Sequence, residues 1–226
     1  MSVILHFYSR LVPRFRIPLY LSIFLAALIH VAGAIGMVFF DRDSFVRLTP
    51  VNLILMFILL MWNEGRIKAD FLIIFLVGFL SGVLTEIIGV NTGLLFGRYQ
   101  YGNLFGEKLF GVPLVIGVNW FCIVYASYCM VKQYLISSIN QKILISILTA
   151  FVATVFDFIM EPVAVKLDFW TWDGGIIPIY NYLSWFLISL SLTYFFEKMR
   201  VSAKNAFAPI LLCIQVVFFI FLRLGL

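Results

Sequence analysis

Apolar runs separated by short polar stretches recur along this chain, at Pro18–Phe40 and then at about 50–62, 71–91, 112–131, 143–164, 177–196 and 207–222. Each approaches the ~20 residues that a helix needs to cross a bilayer, the second and the last being shorter. The pattern predicts an all-α, polytopic integral membrane helix bundle with about seven transmembrane helices, forming one integral domain over residues 1–226. Ala32-Gly33-Ala34 has the small-residue character of a signal-peptidase site. The apolar run continues past it and the chain begins at Met1, so an uncleaved first helix is expected. Gly78-x-x-x-Gly82 in the third run is a small-residue pattern that predicts close helix packing.

Composition and charge sharpen this picture. With 63% apolar residues, 12% charged residues and a mean hydropathy of +1.07 over 226 residues, the chain does not fit a soluble globular domain. The net charge of +5 comes from basic residues scattered at the ends of apolar runs, which suits membrane topology and implies no nucleic-acid partner. Cys122, Cys129 and Cys213 fall inside apolar runs without metal-ligand spacing and read as small core residues. Counting Lys and Arg gives ten on the side holding the N-terminus, with its Arg10, Arg14 and Arg16, against six on the other. The positive-inside rule then predicts a multi-pass protein of the inner (cytoplasmic) membrane with its N-terminus in the cytoplasm.

The candidate chemistry lies in Phe156–Pro162, FDFIMEP, where Asp157 and Glu161 interrupt an apolar run. Four residues apart, they share one helix face, and Pro162 predicts a stop or kink directly after them. Two carboxylates in a low dielectric are expected to share a proton; the alternative is that they cap a helix end and meet water in a loop. Glu86, Asn119, Asp157 and Asn181 all lie near span ends that open on the same side. At 1.5 Å per residue they sit roughly 5–12 Å below that surface, at comparable depth, so they can line one pocket. Two connections expected to be non-helical, Thr92 to Gly111 and Val165 to Ile176, cover the same mouth with Tyr99, Tyr101, Trp170 and Trp172, like a lid on a polar site.

Four segments in this order, Thr85–Gly102, Gly111–Phe121, Phe156–Trp172 and Ile177–Trp185, resemble the bacterial and archaeal carotenoid biosynthesis membrane proteins, which include acyclic carotenoid hydratases. The matching residues are Glu86, Gly89, Thr92, Gly93, Phe96, Gly97, Tyr99 and Tyr101 in the first segment, and Pro113, Asn119 and Trp120 in the second. Asp157, Pro162, Trp170 and Trp172 fit the third, and Pro178, Asn181 and Trp185 the fourth. The motif-bearing core is thus 85–185. Two positions depart from the pattern: Glu161 stands where Asp is more usual, and Ser184 where Gly is more usual.

The resemblance implies addition of water across the terminal double bond of an acyclic carotenoid by protonation and capture of a carbocation, a hydro-lyase reaction that needs no cofactor and no metal. A neutral carboxylic acid donates the proton and a second carboxylate stabilises the cation and deprotonates water, the acids being Asp157 with Glu161 or Glu86. Trp120, Trp170, Trp172 and Trp185 offer π faces to the cation, each worth about 2 kcal/mol when desolvated, or else form an interfacial belt. Asn119 and Asn181 can hold the water, or bond between helices. His30, in the first span, reads as a satisfied bundle residue. The partners implied are a carotenoid substrate, the lipid bilayer and other carotenoid-pathway enzymes. Three other readings stand beside this one: a lycopene-cyclase-like end-group cyclase, a magnesium-diphosphate prenyltransferase using Asp157 and Glu161, and a non-enzymatic carotenoid-binding or transport protein.

Overall fold

A computed structural model describes residues 18–65, 67–136 and 141–226. Among them are eight α-helices: α1 Leu19–Phe39, α2 Arg42–Arg47, α3 Thr49–Asn63, α4 Ala69–Thr92, α5 Val115–Met130, α6 Lys142–Lys166, α7 Ile179–Lys198 and α8 Phe207–Gly225. The basic residues Arg10, Arg14, Arg16 and Arg66 lie outside the described residues.

Every apolar run of the sequence falls on a helix. By length and composition five helices can cross a membrane: α1, α4, α5 with its continuation to Leu135, α6 and α8. At 15 residues α3 is a shorter apolar helix, and α7 is diluted by Asn181, Ser184, Ser189, Ser191 and Thr193, so length and composition single out five crossings rather than seven. The result is a helical bundle of multi-pass membrane character.

Helix ends follow local chemistry. Gly93, at φ 70°, adopts the left-handed geometry that closes α4, and its N–H returns to the Gly89 carbonyl. Pro178 precedes α7 in extended geometry. The Asn205 side-chain oxygen accepts from the Phe207 and Ala208 N–H groups at the start of α8. Of the stop or kink expected at Pro162, the stop does not occur. The proline sits inside α6, which continues to Lys166 and takes in Val165; membrane helices tolerate an interior proline when packing supports the freed backbone. Glu161 is accordingly helical, and stays on the same face as Asp157.

α5 is the centre of the bundle. Its side chains are nearly all buried, on every side, as expected of a helix surrounded by others. α4 packs along it, α6 packs most extensively on α7, and α8 runs against α1, α5 and α6. The Gly78 and Gly82 pair lies at the α4–α5 contact. A Cβ on Gly78 would stand 3.0 Å from the Phe121 ring, and one on Gly82 would stand 2.6 Å from Trp120 Cβ, so the helices approach as closely as their lack of side chains allows. Cys122 and Cys129 are buried, whereas Cys213 is exposed on the outer side of α8 rather than in the core.

The two long connections are not irregular. Residues Tyr99–Tyr101 form β1 and Trp170–Trp172 form β4, which pair antiparallel in the register Tyr99↔Trp172 and Tyr101↔Trp170. Between them in sequence, β2 Lys108–Leu109 and β3 Val112–Pro113 make a second small pair. The β1–β4 ribbon lies over the end of the bundle where α4 and α6 finish and α5 and α7 begin.

Candidate active site

The ribbon explains how four aromatic side chains reach one point. Strand residues alternate faces, so Tyr99 and Tyr101 point inward with Gln100 exposed, and Trp170 and Trp172 point inward with Thr171 exposed. Both tyrosine hydroxyls donate to Glu86 Oε2, that of Tyr101 at 2.7 Å, and Trp120 Nε1 donates to Glu86 Oε1 at 2.8 Å. The Trp170 and Trp172 indole N–H groups both donate to Glu161 Oε1, each at 2.6 Å. Each of the two glutamates is thus clamped from the lid. Burial, and after it the Glu86 carboxylate alongside, holds both phenols well above the usual tyrosine range, so they stay donors.

Asp157 is placed differently. It is fully buried one turn before Glu161 on α6, and its Oδ2 accepts from Asn181 Nδ2 at 3.0 Å. Its Oδ1 has no partner among the described residues. Glu86 accepts three donors, Glu161 two and Asp157 one. A carboxylate surrounded by donors suits the ionised form, which accepts only. An oxygen buried without a donor suits a carboxylic acid whose O–H is held for a substrate.

All eleven residues singled out from the sequence, Glu86, Tyr99, Tyr101, Asn119, Trp120, Asp157, Glu161, Trp170, Trp172, Asn181 and Trp185, line one small cavity with Phe96, Ile116 and Met160. It offers about 30 Å³ to water-sized molecules, enough for one or two waters and too little for an isoprenoid end. Trp120 and Trp185 stack face to face, with centroids 3.6 Å apart and planes 9° off parallel. Ser184 donates its hydroxyl to the Leu95 carbonyl, tying α7 to the start of the lid connection. Asn119 makes no side-chain hydrogen bond to a described residue and borders a second, larger cavity. That chamber, about 240 Å³ and mostly apolar, also shares Ile116, Met160 and Trp170 with the first. Ile116 and Met160 were not foreseen, since an aliphatic residue in an apolar run carries no chemical signal. His30 lines the chamber, its ring Nδ1 bonded to the Ala26 carbonyl at 2.8 Å.

A helical bundle of multi-pass membrane character thus holds three buried carboxylates beneath an aromatic lid, in a polar pocket that shares Ile116, Asn119, Met160 and Trp170 with an apolar chamber. The family model described as carotenoid biosynthesis protein matches residues 45–225, and the chain belongs to that family. It is also similar to bisanhydrobacterioruberin hydratase of Haloarcula japonica, with 30% identity over 109 residues. That similarity covers 45% of this chain and 36% of the relative, so the chain matches only about a third of the relative's length. No solved structure matches the chain.

Proposed function

We propose that this protein hydrates the terminal double bond of an acyclic carotenoid, with Asp157 as the acid. The observation that carries this reading is the unequal coordination of the three carboxylates: Glu86 accepts three donors and Glu161 two, both on Oε1, whereas Asp157 accepts one and its buried Oδ1 none among the described residues. The chain end lies at the chamber's boundary beside Asn119, Met160 and Trp170, where the two cavities meet. The Asp157 carboxyl proton adds to one alkene carbon as the π electrons form the new C–H bond, leaving a tertiary cation on the neighbouring carbon. The ionised Glu86 and Glu161 oppose that charge, and the tryptophan faces add cation–π attraction of about 2 kcal/mol for a desolvated contact.

Water from the small cavity then attacks the cation. Asn181 donates to Asp157 through its amide nitrogen, which leaves its amide oxygen to accept from a water, and the unpaired Asn119 supplies further hydrogen bonds. The oxonium proton returns to a carboxylate and restores Asp157, so alkene and water become a tertiary alcohol. The similarity to a named hydratase favours this outcome over cyclisation. Among the described residues no Lys or Arg lines the acid cavity, which argues against a diphosphate substrate there. The topology belonging to this reading has the N-terminus in the cytoplasm of a cell whose inner membrane holds the protein, with the lid on the opposite face, and counts α3 and α7 as crossings.

Expression in cells that make lycopene or γ-carotene, followed by mass spectrometry, tests the activity. Gain of the mass of one water per processed end is the expected result. A cyclic, unhydrated product would replace the hydratase by a cyclase, and unchanged pigment co-purifying with the protein would replace it by a binding protein.

A further inference from the structure

The acid cavity and the chamber do not account for the whole of a long polyene. A third space, about 470 Å³ and almost wholly apolar, runs between α1 and α8 on the outside of the bundle. It shares His30 and Phe218 with the chamber, and those two rings meet edge to face with centroids 5.3 Å apart. The three spaces therefore adjoin one another in order through shared wall residues: polar pocket, chamber, outer groove. Val31, Ile35 and Val217 line the groove and are exposed on the apolar outside of the bundle. Small residues keep the α1 side open, with Ala27 and Ala34 in the groove and Gly33 in the chamber; a Cβ on Gly33 would meet no atom nearer than Phe218 at 3.7 Å.

A second outer hollow, between α6 and α8, touches the chamber at Phe156. Phe156 is buried there and packs edge to face on Phe219. The α1–α8 groove is larger and meets the chamber at two residues.

We propose that the α1–α8 groove holds the distal polyene of the substrate, which passes between His30 and Phe218 and reaches the bilayer sideways while its end group lies at the acid pocket. This rests on the reading of that pocket as a carotenoid end-group site. His30 is the fixed post of the passage, since its ring is anchored to the Ala26 carbonyl, and Phe218 is the side that gives. A chamber of about 240 Å³ excludes a polyene of tens of carbons, and an apolar chain that outgrows it continues into apolar space.

The unaltered protein is tested with lycopene carrying a diazirine midway along its chain, photolysed in membranes and mapped by mass spectrometry. Label on α1 within residues 27–35, or on Ile210, Ile214 or Phe221 of the facing α8 wall, is the expected result; label on α6 within residues 151–159, or on none of these, would overturn the route. In the Ala34→Trp variant, which plugs the groove, bound lycopene should fall several-fold. Undiminished lycopene binding by that variant would also overturn it. Labelling reads occupancy and not chemistry: label on α1 with no water added to the product sinks the hydratase and leaves the route, whereas hydration with label on α6 does the reverse.

Discussion

Tyr99 and Trp172 stand opposite each other across the β1–β4 pair with ring centroids 4.9 Å apart, yet their polar groups part company: the phenol donates to Glu86 and the indole to Glu161. Tyr101 and Trp170, the next inward pair, repeat the division. One ribbon thus fixes two carboxylates that come from different helices, α4 and α6.

The lid donors should therefore carry stability as well as position. Tyr101→Phe removes one of three donors to a buried carboxylate and should cost about 1.5–3 kcal/mol, the range for hydrogen bonds to charged groups. Thermal unfolding in detergent measures it. Because both phenols are held above their ordinary range in the folded protein, the stability tied to their protonated form is fully present below about pH 10, the unfolded tyrosine value, and falls as pH rises beyond it. The Tyr99→Phe, Tyr101→Phe double variant should flatten that alkaline decline; an unchanged decline would place its origin elsewhere.

The α4–α5 contact makes a steric prediction. A methyl group at Gly82 would meet Trp120 Cβ at 2.6 Å, and Trp120 both donates to Glu86 and stacks on Trp185. Gly82→Ala should cost about 1–3 kcal/mol by overpacking and should also lower activity through the displaced indole. A fully active, equally stable variant would show that the helices separate at no cost.

Topology is open to direct measurement. Reporters fused after Phe40 and near Tyr101 should read outside, and one near Lys204 cytoplasmic. A cytoplasmic reading at Tyr101 would invert the protein and put the lid on the cytoplasmic face.

Much of this site was legible in the sequence because polar residues in apolar runs are few, and each is costly unless it is used. Asp157, Glu161, Glu86 and Asn181 stood out for that reason, and helix rise alone gave them comparable depth. The lid was legible as aromatic loops but not as a ribbon, although Tyr-Gln-Tyr and Trp-Thr-Trp carry the period of two; strands of three residues are too short to stand out from loops. Pro162 left both a stop and a kink open to the sequence, and α6 continues through it to Lys166. A second polar cluster also escaped notice. Glu64 accepts from Tyr125 and Asn205, and Glu197 from Tyr128 and Lys132, joining α3, α5, α7 and the start of α8 at the end remote from the lid. Its members sit at helix ends, where charged residues are ordinary, so nothing in their spacing set them apart.

The acid has its own test. Asp157→Asn keeps the size of the side chain and its bond to Asn181 in an altered form, but has no carboxyl proton to give. Product formation should fall by about 10²–10⁴-fold, the usual contribution of a general acid, while the protein still inserts and retains pigment. Near-normal turnover by Asp157→Asn together with a dead Glu86→Gln would transfer the acid's role to Glu86.

The last prediction turns on the fate of the cation. Hydration and cyclisation begin from the same protonated chain end, and the outcome depends on whether a held water or the chain's own double bond reaches the cationic carbon first. A water kept in a largely apolar site needs about two to four polar partners. Asn181 offers one from its amide oxygen, and Asn119, unpaired at the boundary of the two cavities, offers another. Asn181→Leu removes the first and frees Asp157 Oδ2 of its donor, yet leaves the acid in place. The cation then loses a proton or closes a ring, so hydroxylated carotenoid should decrease, with recovered substrate, a shifted alkene or a cyclic end group in its stead. Chromatography with mass spectrometry separates these products. Hydration at the parental rate by Asn181→Leu would mean the water is held by Asn119 and the carboxylates without it.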